Sequence, residues 1–214
     1  MFVSDIMTRN PICATPDMTI VNAQDVMTKE KIDKLPVLDS DNRLVGLLTK
    51  SDLAKAAPSS ATTLDAYEIG YLLSKIKVEK IMTRSPITVQ DDEVIEEAAR
   101  IMADKDISCL LVLKDGILEG IITESDLFRK FVDMFGARHH GVRVMMELDE
   151  KPGEFAKITN GITGIGGNIV SIVTSEGSSL AKRCVTCKVM NITLADLQAM
   201  LSGNNTKIID IREI

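Results

Sequence analysis

Two short stretches of the chain set a threonine, a serine and an aspartate at one spacing: Gly46-Leu-Leu-Thr-Lys-Ser-Asp-Leu53 and Gly120-Ile-Ile-Thr-Glu-Ser-Asp-Leu127. In each, a glycine and two apolar residues end a strand, the threonine turns the chain and Ser-Asp opens a helix. Such a junction gathers a hydroxyl, a carboxylate and the free N–H groups of a helix N-terminus at one point. N–H and hydroxyl donors suit a phosphate and a carboxylate suits ribose hydroxyls, so the chemistry is that of a phosphorylated sugar. The structural alternative is that Thr49, Asp52, Thr123 and Asp126 only cap helices, a role their residue types favour.

The elements that position these groups are written twice. Ile6-Met-Thr-Arg-Asn-Pro-Ile12 recurs as Ile81-Met-Thr-Arg-Ser-Pro-Ile87 with a single difference, and the same offset carries Asp17 to Asp92, Ile20 to Ile95, Ala23 to Ala98 and Met27 to Met102. Internal similarity at a fixed offset marks a repeated structural unit. Asp17 and Asp92 are expected helix N-caps, and the apolar residues after them share one helical face. Leu35-Pro-Val-Leu38 and Leu44-Val-Gly-Leu-Leu48 then read as a hairpin around Asp39-Ser-Asp-Asn42. In the second copy Cys109–Leu113 and Ile117–Ile122 flank Lys114-Asp-Gly116, with the Asp-Gly signal of a tight hairpin. Each copy is thus β-α-β-β-α, and as some fifty residues make a marginal core, the copies are expected to pack together. Between them lie a Pro/Ser/Thr-rich loop, Ala56–Thr63, and an expected linker helix from Asp65 to Lys77 carrying Tyr67, Tyr71, Leu72 and Ile76.

Composition bounds the function. The 214 residues are 45% hydrophobic and 26% charged, ordinary globular values. A net charge of −6 argues against a nucleic-acid binder, which needs a basic face. No apolar run approaches the length of a membrane span, and the first residues lack the basic and apolar segments of a signal peptide, so a soluble cytoplasmic protein is expected. Cys184-Val-Thr-Cys187 sits in an alternating, strand-like stretch, where positions i and i+3 face opposite ways, which spoils a chelate. The two histidines, His139-His140, are neighbours in a linker without acidic or cysteine company. No nucleophile–base arrangement, P-loop or paired-carboxylate motif stands out, so catalysis is not expected, nor is a required cofactor or metal.

Beyond a hinge bracketed by Gly136 and Gly141 the pattern changes. Val142–Leu148 reads as a strand, Phe155, Ile158, Ile162 and Ile165 as a helical face, and Ile169–Val173 and Arg183–Val189 as strands. Thr193 then caps a helix with Leu194, Leu197 and Leu201 on one face, and Lys207–Ile214 is a last strand. The order β-α-β-β-α-β is ferredoxin-like.

On the repeated Ile-Met-Thr-x-x-Pro-Ile, Leu35-Pro-Val-Leu38 and the Gly-apolar-apolar-Thr-x-Ser-Asp ends, residues 1 to about 134 resemble a tandem pair of cystathionine-β-synthase (CBS) domains. The resemblance implies an α+β fold in which two β-α-β-β-α repeats form a pseudo-twofold pair. It also implies two clefts for an adenosine ligand: AMP, ADP, ATP or S-adenosylmethionine. By that resemblance Asp52 and Asp126 take ribose hydroxyls, with Thr49 and Thr123 beside ribose and phosphate. Ile12, Ala14, Ile87 and Val89 line the adenine slots, and Lys34 faces phosphate unless it is merely a solvated lysine. The second copy departs from this: Cys109 stands at the place of Lys34 and Leu111 at that of Pro36, so unequal clefts are expected.

Residues 141–214 resemble an ACT domain on Leu148-Asp-x-x-Pro-Gly-x-Phe-x-x-Ile158 and Gly167-Asn-Ile169. That resemblance implies side-by-side pairing and an amino acid held by Gly153, Asn168 and Ile169. Gly153 would permit close backbone approach; otherwise Pro-Gly only starts the helix. The expected layout is CBS repeat 1 at 1–57, linker at 58–77, repeat 2 at 78–135, hinge at 136–140 and ACT domain at 141–214. The whole arrangement resembles acetoin-utilisation protein B-like bacterial regulators and implies control of small-carbon metabolism. The expectation is therefore a non-catalytic sensor, a homodimer with adenine nucleotide as regulatory ligand and an unidentified target enzyme. A ligand-free interaction scaffold is the competing expectation.

Overall fold

A computed structural model describes residues 1–56, 65–203 and 206–214, which form two compact units, Met1–Leu127 and Phe128–Ile214. In the first unit the hairpin signals give β2 (Lys34–Leu38) with β3 (Leu44–Thr49) and β6 (Cys109–Lys114) with β7 (Ile117–Thr123). Asp115 and Gly116 take φ of 50° and 81°, the left-handed pair that an Asp-Gly hairpin turn requires. α1 (Ile20–Glu30) and α4 (Ile95–Lys105) bury Ile20, Ala23 and Met27, and Ile95, Ala98 and Met102, the faces expected from the repeat. α2 (Lys50–Ala56) and α5 (Glu124–Met134) follow the two hairpins.

Two local expectations are corrected. The residue before α1 is Thr19, whose hydroxyl accepts from the Asn22 N–H, and α4 is preceded by Val94 with no side-chain cap; Asp17 instead accepts from the Thr15 hydroxyl. Each acid sits in a turn, and the extended cap residue two positions later, Thr19 or Val94, starts the helix. The opening strand of the repeat is β5 (Thr88–Gln90) in the second copy, paired parallel with β6, but in the first it shrinks to one parallel bridge, Ala14 to Val37. The linker helix is the shorter α3 (Ala66–Leu73), started by a reciprocal Asp65–Glu68 capping box; of the expected loop Ala56–Thr63, Ala56 closes α2 and residues 57–63 lie outside the described residues.

What the repeat did not announce is that the copies exchange their leading segments. β1 (Thr8–Arg9) pairs with β7 of the second copy, and β4 (Thr83–Arg84) pairs with β3 of the first, giving sheets ordered β1-β7-β6-β5 and β2-β3-β4. The short turns before these strands follow suit. The Val3 N–H donates to Glu93 O and the Val78 N–H to Met18 O, and both valines are fully buried. The crossing explains a motif residue: a Cβ on Gly120 would lie 2.5 Å from Met7 Sδ and 2.9 Å from Thr8 O, and one on Gly46 would lie 2.5 Å from Met82 Sδ and 3.1 Å from Thr83 O. Each copy's glycine makes room for the other copy's strand.

The second unit is β8 (Val142–Asp149), α6 (Glu154–Gly164), β9 (Asn168–Glu176), β10 (Lys182–Met190), α7 (Leu194–Gly203) and β11 (Lys207–Glu213). Its antiparallel sheet is ordered β11-β8-β10-β9, the ferredoxin-like arrangement. Val144, Met146, Val185, Cys187 and Val189 pack with Ile158, Ile162, Leu197 and Leu201 of the helices. Cys184 is buried too but stands in the opposite row of β10, as the strand period dictates.

Candidate functional site

At the end of β3 the Thr49 N–H and hydroxyl both donate to Asp52 Oδ2, at 2.9 and 2.6 Å, while the Asp52 N–H donates to Thr49 Oγ1 at 3.2 Å. At the end of β7 the Thr123 N–H and hydroxyl donate to Asp126 Oδ2 at 2.9 and 2.7 Å. The four residues are half-buried. The capping role weighed above is therefore real, and it fixes the carboxylates at the mouths of two equivalent junctions. A rigid, oriented carboxylate is also what ribose recognition needs, because its hydroxyls must meet an acceptor already in place.

The neighbouring strand completes each mouth in the same register. Lys34 pairs with Thr49 across β2 and β3, and Cys109 pairs with Thr123 across β6 and β7. The Lys50 N–H donates to Asp33 O at 2.9 Å, and the Glu124 N–H donates to Ser108 O at 3.2 Å. The equivalences Asp33–Ser108, Lys34–Cys109, Lys50–Glu124 and Asp52–Asp126 are thus structural. Counting only those four positions, the first mouth carries two cations and two carboxylates, and the second carries two carboxylates and no cation. In the first, the hydrogen bond from Lys50 holds the Asp33 carboxyl below its usual range. In the second, burial pushes the Cys109 thiol up, with Lys34 pulling against it and Glu124 adding to it, so the Lys34 field extends toward the second junction.

The remaining predicted contacts divide. Ile12 and Ile87 are exposed at 42% and 38%, large apolar side chains left in water at equivalent places. Ala14 and Val89 are core residues at 1% and 7%, and the Ala14 N–H donates to Pro36 O while its carbonyl accepts from the Leu38 N–H, so neither lines a slot as expected. A cavity of about 410 Å³ between α1 and α2, lined by Ile20, Met27, Lys50 and Leu53, includes none of the nine residues predicted to meet nucleotide. In the second unit Gly153 precedes α6 with φ of 92° and open space where a Cβ would be, and Asn168 is exposed at the start of β9, with Ile169 packed on the core. The charge inversion at position 50 and 124 was missed in the sequence, although both residues stand inside the repeated octets.

Residues 3–59 and 78–133 match the family model of the CBS domain, and the chain belongs to that family. Among curated relatives it is 33% identical over 130 residues to an L-aspartate semialdehyde sulfurtransferase of Methanocaldococcus jannaschii, and 36% over 129 residues to a homoserine O-acetyltransferase of Methanohalobium evestigatum. Each match covers 60% of this chain but only 23% and 24% of the relative, so the likeness is to a module of those enzymes. The CBS domain pair of protein MJ0100, solved with 5′-methylthioadenosine and S-adenosyl-L-methionine, is 31% identical with a TM-score of 0.52 and covers 65% of this chain and 98% of its own. A Vibrio cholerae chain named after acetoin utilization (AcuB) is 26% identical with a TM-score of 0.54, covering 64% of this chain and 95% of that one. CBSX2 in complex with AMP is 31% identical with a TM-score of 0.50, covering 61% and 96%. Two of these CBS proteins were thus solved with adenosine ligands. No described helix is long and apolar enough to cross a membrane.

Proposed function

We propose that the first unit is a non-catalytic adenosine-ligand sensor with two unlike clefts. The first, at Lys34, Thr49 and Asp52, takes a phosphate-bearing nucleotide such as AMP. The second, at Cys109, Thr123 and Asp126, takes an adenosine ligand without phosphate, such as methylthioadenosine or the sulfonium of S-adenosylmethionine. Ile12 and Ile87 cover the adenine faces. The observation that carries this reading is the charge difference at structurally equivalent positions: Lys34 and Lys50 against Cys109 and Glu124. A phosphate dianion is drawn to the former pair more than to a mouth whose own four positions bring two carboxylates and no cation.

Ligand exerts control only if it binds two states of the protein unequally. Our reading is a homodimer whose preference for a target enzyme of small-carbon, acetoin-type metabolism changes with occupancy. The second unit is read as an ACT-like module with an amino acid at Gly153, Asn168 and Ile169, supported by its strand order and by the open space at Gly153.

Calorimetry on the full chain tests the assignment. AMP is expected to bind once, with Asp52→Ala weakening it by roughly ten- to a hundredfold, as loss of hydrogen bonds to a charged acceptor implies. Methylthioadenosine is expected to respond to Asp126→Ala instead. Affinities unchanged in both variants sink the site assignment. The scaffold reading draws on one observation, the mutual satisfaction of each Thr–Asp pair, and a panel of AMP, ATP, S-adenosylmethionine and amino acids that moves no melting temperature favours it.

A further inference from the structure

The face of the C-terminal sheet turned away from α6 and α7 carries cations in register. Lys188 on β10 stands opposite Arg143 on β8, and Arg143 stands opposite Arg212 on β11. One carboxylate serves this row: Asp210 Oδ2 accepts from Arg143 Nη1 at 2.9 Å and Asp210 Oδ1 from Arg212 Nη2 at 2.6 Å, and the two guanidiniums, Arg212 foremost, hold its pKa down. Lys188 is left over. It is 3% exposed, and it has no ion pair or hydrogen bond among the described residues. Like charges directly opposite on adjacent strands repel, and an ammonium withdrawn from water without a partner is costly. The chain has acidic residues in excess, 31 against 25 basic, yet none of those described partners this lysine.

A cavity of about 300 Å³ adjoins Lys188, its wall formed by Arg143, Ser171, Thr186, Phe135 and Val173 among others. The Phe135 segment is held in place by specific features. α5 ends with the Gly136 N–H on Asp133 O and the Ala137 N–H on Val132 O, with Gly136 at φ of 63°, a helix stop that favours glycine. A Cβ there would fall 2.7 Å from Val170 Cγ1, and the Ser171 hydroxyl donates to Phe135 O at 3.0 Å. Every fully enclosed side-chain nitrogen or oxygen among the described residues has a partner, so the residual accessibility of Lys188 includes its ammonium.

We propose that this cavity is a binding site for a small organic acid, its carboxylate on Lys188 and its compact apolar body against Phe135 and Val173. Thr186 supplies a hydroxyl on the same wall. A free amino acid fits worse, since Lys188 and Arg143 would face its ammonium. The site is separate from the Gly153–Asn168 seam, neither residue of which lines the cavity.

Calorimetry and thermal melts of the full chain with isovalerate as probe test the proposal, with valine, inorganic phosphate and 3-methylbutan-1-ol as comparators. Isovalerate is expected to raise the melting temperature and to bind at least tenfold more tightly than any comparator. Lys188→Met is expected to weaken it roughly ten- to a hundredfold, and Lys188→Arg to retain it. Without ligand, Lys188→Met is expected to melt higher than the parent, because a desolvated like-charge contact is gone. An unmoved melting temperature, a comparator that binds as well, or isovalerate binding that survives Lys188→Met overturns it. A ligand-free Lys188→Met that melts lower also overturns it, by making the lysine a packing residue.

Discussion

The two CBS repeats share a backbone plan down to equivalent hydrogen bonds, and they differ where a phosphate would sit. Val3 and Val78 are buried alike, Asn10 and Ser85 take positive φ alike, and in Thr49–Asp52 and Thr123–Asp126 the threonine N–H and hydroxyl donate to the carboxylate in the same way. Yet Lys34 and Lys50 stand beside one junction, Lys50 paired with Asp33, where Cys109 and Glu124 stand beside the other. The lesson is that packing constrains the shared positions, because each repeat needs the other's strand to complete its sheet. The mouth residues are under no such constraint and are free to set ligand chemistry.

The comparison breaks most sharply at Lys34. Lys34→Ala is expected to weaken AMP at the first cleft by roughly ten- to a hundredfold while leaving methylthioadenosine within a few-fold, read by calorimetry, since a charge-assisted contact is lost only where phosphate binds. Next come the glycines that admit the exchanged strands. Gly120→Ala is expected to cost about 2 kcal/mol and Gly46→Ala about 1 kcal/mol in urea unfolding, because the added Cβ meets the Thr8 carbonyl at 2.9 Å but the Thr83 carbonyl at 3.1 Å. Equal costs would mean that the flexible methionines alone decide the fit.

A smaller effect tests whether charge explains the asymmetry. Glu124→Lys gives the second mouth the residue found at Lys50, and it is expected to gain AMP affinity several-fold, falling with added salt, as exposed charges do. The smallest concerns thiols. Burial raises the pKa of both Cys13 and Cys109, so each holds less thiolate near pH 8 than an ordinary cysteine and reacts slowly. Alkylation followed by mass spectrometry is expected to speed up as pH climbs past the usual thiol range, with half-buried Cys13 modified before buried Cys109.

Much of this was legible along the chain. The repeat, both hairpins, the βαββαβ order and the Thr-x-x-Asp pairs are local signals, carried by period, turn residues and caps within a few positions. The helix starts were read two residues early because Asp17 and Asp92 resemble caps, while each lies in a turn and the extended Thr19 or Val94 leads into the helix. At the candidate clefts the sequence supplied Lys34 against Cys109. Register then added Lys50 against Glu124 and moved Ala14 and Val89 from the cleft lining into the core.

The sequence by itself therefore determined that two copies of one unit precede a different one, and where each copy keeps its hydroxyl and carboxylate. Tertiary structure alone decided that β1 and β4 change places and that Gly46 and Gly120 exist to let them pass. It also decided that Lys188 is buried opposite Arg143 without a partner among the described residues. A two-residue strand has no period to read, and a cation's isolation depends on what the folded chain brings beside it, which no spacing along the sequence encodes.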